Sequence, residues 1–160
     1  MFSGFANGIT MADSWRITAD TNQGTNAVVA TNWERNDTAG FSQIGTGLTV
    51  SSGIFSFSQT GIYLIIPQFE FSHDSGEVSA FVFCQTTLDN SSYTDASLMK
   101  SGDLGTGSGL TQSNNFIFDV TDISNCKFRF KTDNFSANTK LVGTSVYQRT
   151  GFSIFRLGDT

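Results

Sequence analysis

Apolar and polar residues alternate along most of this chain, and this repeat of two is the feature that most limits how it folds. In the clearest case, Phe128 and Phe130 share one face of a predicted strand, while Lys127, Arg129 and Lys131 share the other. No segment has the sustained apolar period of 3.6 that predicts a helix, so parallel strands would lack the usual crossover connections. We therefore predict an all-β antiparallel sandwich or jelly roll of about nine or ten strands. The predicted strands span residues 14–20, 53–58, 62–71, 78–88, 93–100, 115–120, 126–131, 140–148 and 151–157.

The segment 62–71 departs from simple alternation because it is apolar on both faces for half of its length. Tyr63 and Phe69 lie on one face, and Leu64 and Ile66 lie on the other. A strand of this kind is covered twice, once by the core of its own sandwich and once by a second surface. One interpretation is that the second apolar face is buried between copies of the chain. The other is that both faces are buried inside one sandwich.

Composition excludes several classes of protein. The 160 residues suit one domain, and the 16 Phe together with only 14% charged residues exclude a disordered chain. The net charge of −5 with only 9 Lys and Arg argues against nucleic acid as a partner. No apolar run approaches the roughly 20 residues that span a membrane, and the N-terminus does not resemble a signal peptide.

The sequence carries no pattern that indicates catalysis. Its one histidine, His73, is expected to be a solvated turn residue, and no spacing of Cys or His suggests a metal site. We predict no catalytic residue, no cofactor and no enzyme activity, while a calcium ion held by distant loop residues stays an open alternative. Cys84 and Cys126 are interpreted as buried thiols, with a single disulfide as the alternative.

The segment 53–65 resembles the signature of the tumour-necrosis-factor-like (TNF-like) superfamily, in particular the globular heads of the complement q subcomponent. The shared pattern is an aromatic strand, a short turn, Gly-x-Tyr and an apolar strand, which Phe55, Phe57, Gly61 and Tyr63 fill. The segment 150–157 resembles the last strand of that family. The resemblance covers residues 13–158 and implies an antiparallel ten-stranded jelly-roll sandwich that forms a homotrimer. The domain would span 13–160, after an N-terminal arm of residues 1–12.

A narrower resemblance links the chain to small virion proteins encoded by marine tailed phages. It lies in the segments 13–18, 31–35, 44–53 and 116–121. It implies a virion component that is made in the host cytoplasm, and we expect its place to be the capsid surface.

The leading hypothesis is a homotrimeric capsid decoration, or cement, protein that binds the major capsid protein, with no nucleic acid or membrane as partner. Five aromatic residues are expected to divide between the sandwich core and the three-fold axis: Tyr63, Phe69, Phe71, Phe116 and Phe118. Four apolar residues of the arm are expected to contact the capsid: Phe2, Phe5, Ile9 and Met11.

Two other functions remain open. One is a trimeric fibre-tip or receptor-binding adhesion domain, in which Trp33, Tyr93 and Tyr147 near polar loops would contact glycan. The other is a secreted cytokine-like or complement-like ligand, which shares the fold but requires a leader sequence.

Overall fold

The computed structural model of the protein describes residues 8–73, 79–102 and 109–160. Within these ranges the chain forms fourteen β-strands, and none of the described segments is a helix that could cross a membrane. The strands are β1 Ala12–Ile17, β2 Ala19–Thr21, β3 Ala27–Val28, β4 Trp33–Arg35, β5 Thr49–Ser51, β6 Ile54–Ser56, β7 Gly61–Ser72, β8 Ser79–Thr87, β9 Thr94–Gly102, β10 Gly109–Ser113, β11 Phe116–Val120, β12 Lys127–Asp133, β13 Lys140–Thr144 and β14 Gly151–Gly158.

The strands form two sheets, and neighbouring strands in the described residues pair antiparallel throughout. The eight-stranded sheet has the order β2-β13-β7-β14-β1-β4, with β10 and β11 also paired to β7. The six-stranded sheet has the order β5-β6-β12-β8-β9, with β3 paired to β12. The all-β antiparallel sandwich expected from the alternation is therefore confirmed.

Strand β7 organises the eight-stranded sheet, since it is twelve residues long and pairs with four other strands. Burial alternates along its whole length, with odd-numbered residues buried and even-numbered residues partly exposed. Successive side chains of a strand point to opposite faces, so the odd positions face the six-stranded sheet and the even positions face outward.

Aromatic side chains from both sheets meet in the core. Phe55 of β6 contacts Phe152 of β14 edge to face, with ring centroids 4.8 Å apart, and stacks on Phe128 at 5.0 Å. Phe130 packs against Phe69 of the opposite sheet at 4.9 Å. Such pairs add about 0.5–1.5 kcal/mol beyond the burial of their area. The inward placement predicted for Phe128 and Phe130 is confirmed.

Several short strands lie where the sequence predicted loops. The largest difference is β10, which occupies residues 109–113, between the predicted strands 93–100 and 115–120, and pairs with Phe69 and Phe71 of β7. Its sequence is polar apart from Leu110, so alternation gives no signal there. The pairing is made by the backbone, and long-range contact with β7 determines it.

Candidate interaction surface

The outer face of the eight-stranded sheet carries a continuous row of apolar side chains. Ile117 lies opposite Leu64, Leu64 lies opposite Phe155, and Phe155 lies opposite Ala12. Ala12 in turn bridges to Ile44. Directly opposed residues point to the same side of a sheet, so these five residues, which we call the apolar row, form one strip.

Much of the apolar row is open to solvent. Ile117 is 65% exposed and Ile44 is 48% exposed, while Leu64, Phe155 and Ala12 are partly exposed. Ile62 and Ile66 widen the strip because they lie two positions to either side of Leu64 on the same face of β7. Exposed apolar patches are typical of interaction surfaces, so the apolar row is the candidate interaction surface of the described residues.

A buried carboxylate fixes the strand that contributes Ala12. The side chain of Asp13 is 0% exposed and accepts hydrogen bonds from Arg35 Nε at 2.9 Å and Trp15 Nε1 at 3.0 Å. It also accepts one from the backbone N–H of Leu48 at 2.8 Å. Because Asp13 points inward, its neighbour Ala12 points outward, so this network holds Ala12 in the apolar row.

Arg156 ties the chain before β1 to the last strand. Its backbone N–H donates to the carbonyl of Met11 at 2.9 Å, and its Nη1 donates to Thr10 Oγ1 at 3.2 Å. Met11 is fully buried in the core. The expectation that Met11 contacts a capsid is therefore wrong, because its side chain fills the interior of its own domain.

The rest of the predicted arm is only partly described. Ile9 is 48% exposed, and its contact with a capsid stays a prediction. Phe2 and Phe5 lie outside the described residues. Thr10 and Met11 pack with the described domain, and the boundary between arm and domain at residue 13 stays a prediction.

The five aromatic residues assigned to the core or the three-fold axis all face the core. Tyr63, Phe69 and Phe71 are fully buried, Phe118 is 8% exposed, and Phe116 packs partly buried against the same cluster. The core therefore holds Tyr63, Phe69, Phe71 and Phe118, and a place at the three-fold axis stays a prediction for the partly buried Phe116. They occupy the inward parity of β7 and its partner β11, whereas the outward parity carries Leu64 and Ile117.

The only histidine is also inside the protein. His73 is 1% exposed, stacks on Phe71 and hydrogen-bonds through Nε2 to Ser101 Oγ. The prediction of a solvated turn residue is therefore wrong. The alternation of the preceding strand could have predicted its burial, since His73 continues the inward-facing series of odd-numbered residues in β7.

The two cysteines are buried and are not bonded to each other. This confirms the interpretation as thiols. Burial raises the pKa of the Cys84 thiol well above its usual value, so the thiol stays protonated and unreactive. Among the described residues, no cluster of three or more His, Cys, Asp or Glu side chains is arranged to hold a metal ion.

The aromatic residues suggested for glycan contact do not form one surface. Trp33 packs against Phe55 in the core and donates from Nε1 to the carbonyl of Val29 at 2.7 Å. The ring of Tyr93 lies under the guanidinium of Arg129. Tyr147 is 56% exposed, so of the three rings it alone faces solvent openly.

Comparison with solved structures defines the class of fold: the chain is a TNF-like jelly-roll sandwich. It is similar to Eiger TNF from S. frugiperda, with a TM-score of 0.68, 11% identity and 96% of each chain covered. It is also similar to murine APRIL at pH 5.0, with a TM-score of 0.66, 13% identity, and 92% of this chain and 98% of that chain covered. No family model and no curated protein matches the sequence. The likeness is therefore one of fold.

Proposed function

We propose that the protein is a homotrimer whose copies associate through the outer face of the eight-stranded sheet. The observation that carries this proposal is the apolar row, which runs from Ile117 to Ile44 across neighbouring strands. Burying an aliphatic or aromatic side chain is worth about 1.5–3 kcal/mol, so leaving this row in water is unfavourable. A closed ring of copies covers every such face and leaves none exposed for further association. The number three follows from the TNF-like resemblance, which implies a homotrimer.

A mass measurement tests the assembly. Sedimentation or mass photometry of the wild type is expected to give three times the 17.3 kDa of one chain. Ile117→Lys places a charge in the apolar row, at its most exposed residue, and is expected to give monomers that keep the β-sheet circular dichroism of the wild type. The matched control is Leu88→Lys, which changes a residue of similar exposure, 68%, in the turn that follows β8. A wild type that is monomeric at micromolar concentration contradicts the proposal.

We further propose that this trimer is a phage capsid decoration protein that binds the outside of the assembled shell. The support is the resemblance to phage virion proteins and an N-terminal segment that precedes the domain and includes the exposed Ile9. A trimer that binds neighbouring capsid subunits stabilises the shell by mass action, since it binds the assembled state and links several subunits at once.

The truncation that tests the arm is set by the structure. Removal of residues 1–9 leaves the buried Met11 and the hydrogen bond between Thr10 and Arg156 in place. The truncated protein is expected to remain a trimer and to lose binding to capsids that lack the protein, measured by co-sedimentation. Ile9→Ala in the full chain serves as a milder variant. Undiminished capsid binding by the truncated trimer overturns the role of the arm.

The position of the protein on purified particles tests the decoration role separately. Cryo-electron microscopy is expected to show the trimer on the capsid surface at regular positions. A position at the tip of a tail or fibre would instead favour the adhesion function. The exposure of Tyr147 and of its neighbour Val146, which is 62% exposed, supports that second candidate, and a glycan array is its direct test.

A further inference from the structure

Positive charge is concentrated on the outer face of the six-stranded sheet, on the side of the sandwich opposite to the apolar row. Lys127, Arg129 and Lys131 occupy the outward positions of β12, and Lys100 lies outward on β9. These are four of the nine basic residues of the chain. We call them, together with the rings that they cover, the cation–aromatic face.

Aromatic rings hold three of these cations in place. The guanidinium of Arg129 lies 3.7 Å from the ring centroid of Tyr93, and Arg129 Nε also donates to Gln85 at 2.8 Å. Lys131 Nζ lies 4.9 Å from the ring of Phe83, and Lys100 Nζ lies 5.5 Å from that of Phe81. Cation–π attraction of this kind restricts the side chains, so less conformational freedom is lost when they bind a partner.

The distribution of charge makes this face unlike the rest of the molecule. Among the described residues this face carries Asp95 and Asp133, and a third carboxylate, Asp89, acts on Tyr93, whose pKa is raised by burial and also by that charge. Three carboxylates thus accompany the four cations. In the part of the chain that the structure describes, five basic and eight acidic residues lie elsewhere on the molecule. A small net positive surface on an otherwise acidic protein is complementary to a compact acidic patch.

We propose that the cation–aromatic face is a docking surface for a short, carboxylate-rich patch of another protein. Lys127 and Lys131 lie four residues apart on one strand, which is about 13 Å. A compact acidic patch fits within that length. A long polyanion that continued past Lys131 would meet Asp133, which lies outward two positions further along β12, and repulsion within a Debye length of about 8–10 Å would oppose binding.

The covered rings also argue for protein rather than nucleic acid. Proteins that bind single-stranded nucleic acid stack the bases on free aromatic faces. Here the faces of Phe81, Phe83 and Tyr93 are occupied by cations. Carboxylates need no ring face, because they pair with the cations themselves.

Use of this face is compatible with the proposed trimer but does not depend on it. The apolar row lies on the eight-stranded sheet and the cation–aromatic face on the six-stranded sheet, so association through the first leaves the second free. A trimer would then present three copies of the docking surface, and simultaneous engagement of three acidic patches would raise the overall affinity.

The test measures binding of fluorescently labelled hexaglutamate to the full-length protein by anisotropy. Binding is expected at about 50 mM salt and is expected to weaken strongly at about 300 mM, because exposed charges are screened. Lys131→Gln and Lys100→Gln are each expected to weaken binding about two- to five-fold, and the double variant more. Arg129 is left unchanged, since its contacts with Gln85 and Tyr93 also support the sheet.

The matched control is Lys140→Gln, which removes the same charge from the other sheet, where Lys140 pairs with Asp20 at 2.7 Å. It is expected to bind hexaglutamate like the wild type. Equal loss in the control and in Lys131→Gln would show a non-specific effect of net charge and would overturn the proposal. Single-stranded DNA and vesicles that contain phosphatidylserine are measured in parallel, and tighter binding of either one overturns the choice of a protein partner. Absence of hexaglutamate binding at low salt overturns the proposal that this face is a docking surface for carboxylates.

Discussion

Leu64 and Ile117 lie directly opposite each other across the β7–β11 pair, with both side chains on the outer face of the eight-stranded sheet. Their immediate neighbours along the two strands, Tyr63 and Phe118, are opposed in the same way on the inner face and are buried. The sheet is therefore apolar on both of its faces at this point. One face forms the core of the chain, and the other forms the surface that we propose for assembly.

Thermal stability should depend on protein concentration if that surface is shared between copies. Association favours the folded state by mass action, so the Tm of the wild type is expected to rise as concentration is increased a hundred-fold. Ile117→Lys is expected to have a Tm that does not change with concentration. Differential scanning calorimetry over that range checks both expectations, and a wild-type Tm that is independent of concentration would count against self-association.

Removal of one ring from the aromatic core should destabilise the domain strongly. Phe152 is fully buried and contacts Phe55 and Phe128 from the opposite sheet. Phe152→Ala is expected to lower the free energy of unfolding by about 3–5 kcal/mol, measured by urea titration. Phe41→Ala removes a ring that is 42% exposed and is expected to cost less than about 1 kcal/mol. Similar losses in the two variants would contradict the described core.

The buried carboxylate of Asp13 should matter more than an exposed one. Asp13→Asn removes the negative charge that faces Arg35. It also replaces one acceptor oxygen with an amide group that donates, although Trp15 and the backbone N–H of Leu48 both donate to this side chain. The expected loss is about 3 kcal/mol in the free energy of unfolding. Asp159→Asn changes a carboxylate that is 92% exposed and pairs with Arg156, and it is expected to cost less than about 1 kcal/mol. Chemical denaturation of both variants provides the comparison.

Acid should weaken the turn that follows β8. Asp89 accepts hydrogen bonds from the backbone N–H of Ser92 at 2.7 Å, the Thr87 hydroxyl at 2.8 Å and the backbone N–H of Ser91 at 2.9 Å. These bonds favour the ionised form and hold the pKa of Asp89 well below its usual value of 3.8.

A carboxyl with a lowered pKa in the folded state stabilises the protein at pH values above about 4, and this contribution is lost as the pH falls through the folded-state pKa. Asp89→Asn is expected to have a lower Tm than the wild type at pH 7, and the difference is expected to shrink towards pH 2. Thermal melts across this range measure it. A difference that is constant at every pH would show that the charge of Asp89 has no part in the effect.

Most strands and the inward direction of many residues were predictable from the chain alone. Alternation identified β7 and β12 and placed Phe128 and Phe130 in the core. The short strand β10 was missed because its polar sequence carries no alternation, and its pairing with β7 is a backbone interaction. His73 was misplaced because a polar residue at the end of a strand resembles a turn, although its parity is that of the buried positions.

The interaction surfaces were decided by tertiary structure. Sequence by itself determined that residues 62–71 have two apolar faces, since alternation depends only on neighbours in the chain. It could not determine which of the two faces inward. That choice depends on register with distant strands, which placed Leu64 between Ile117 and Phe155, more than fifty residues away along the chain. Side chains that are scattered in sequence become one surface only when strand pairing brings them together, because register assigns each residue to a face.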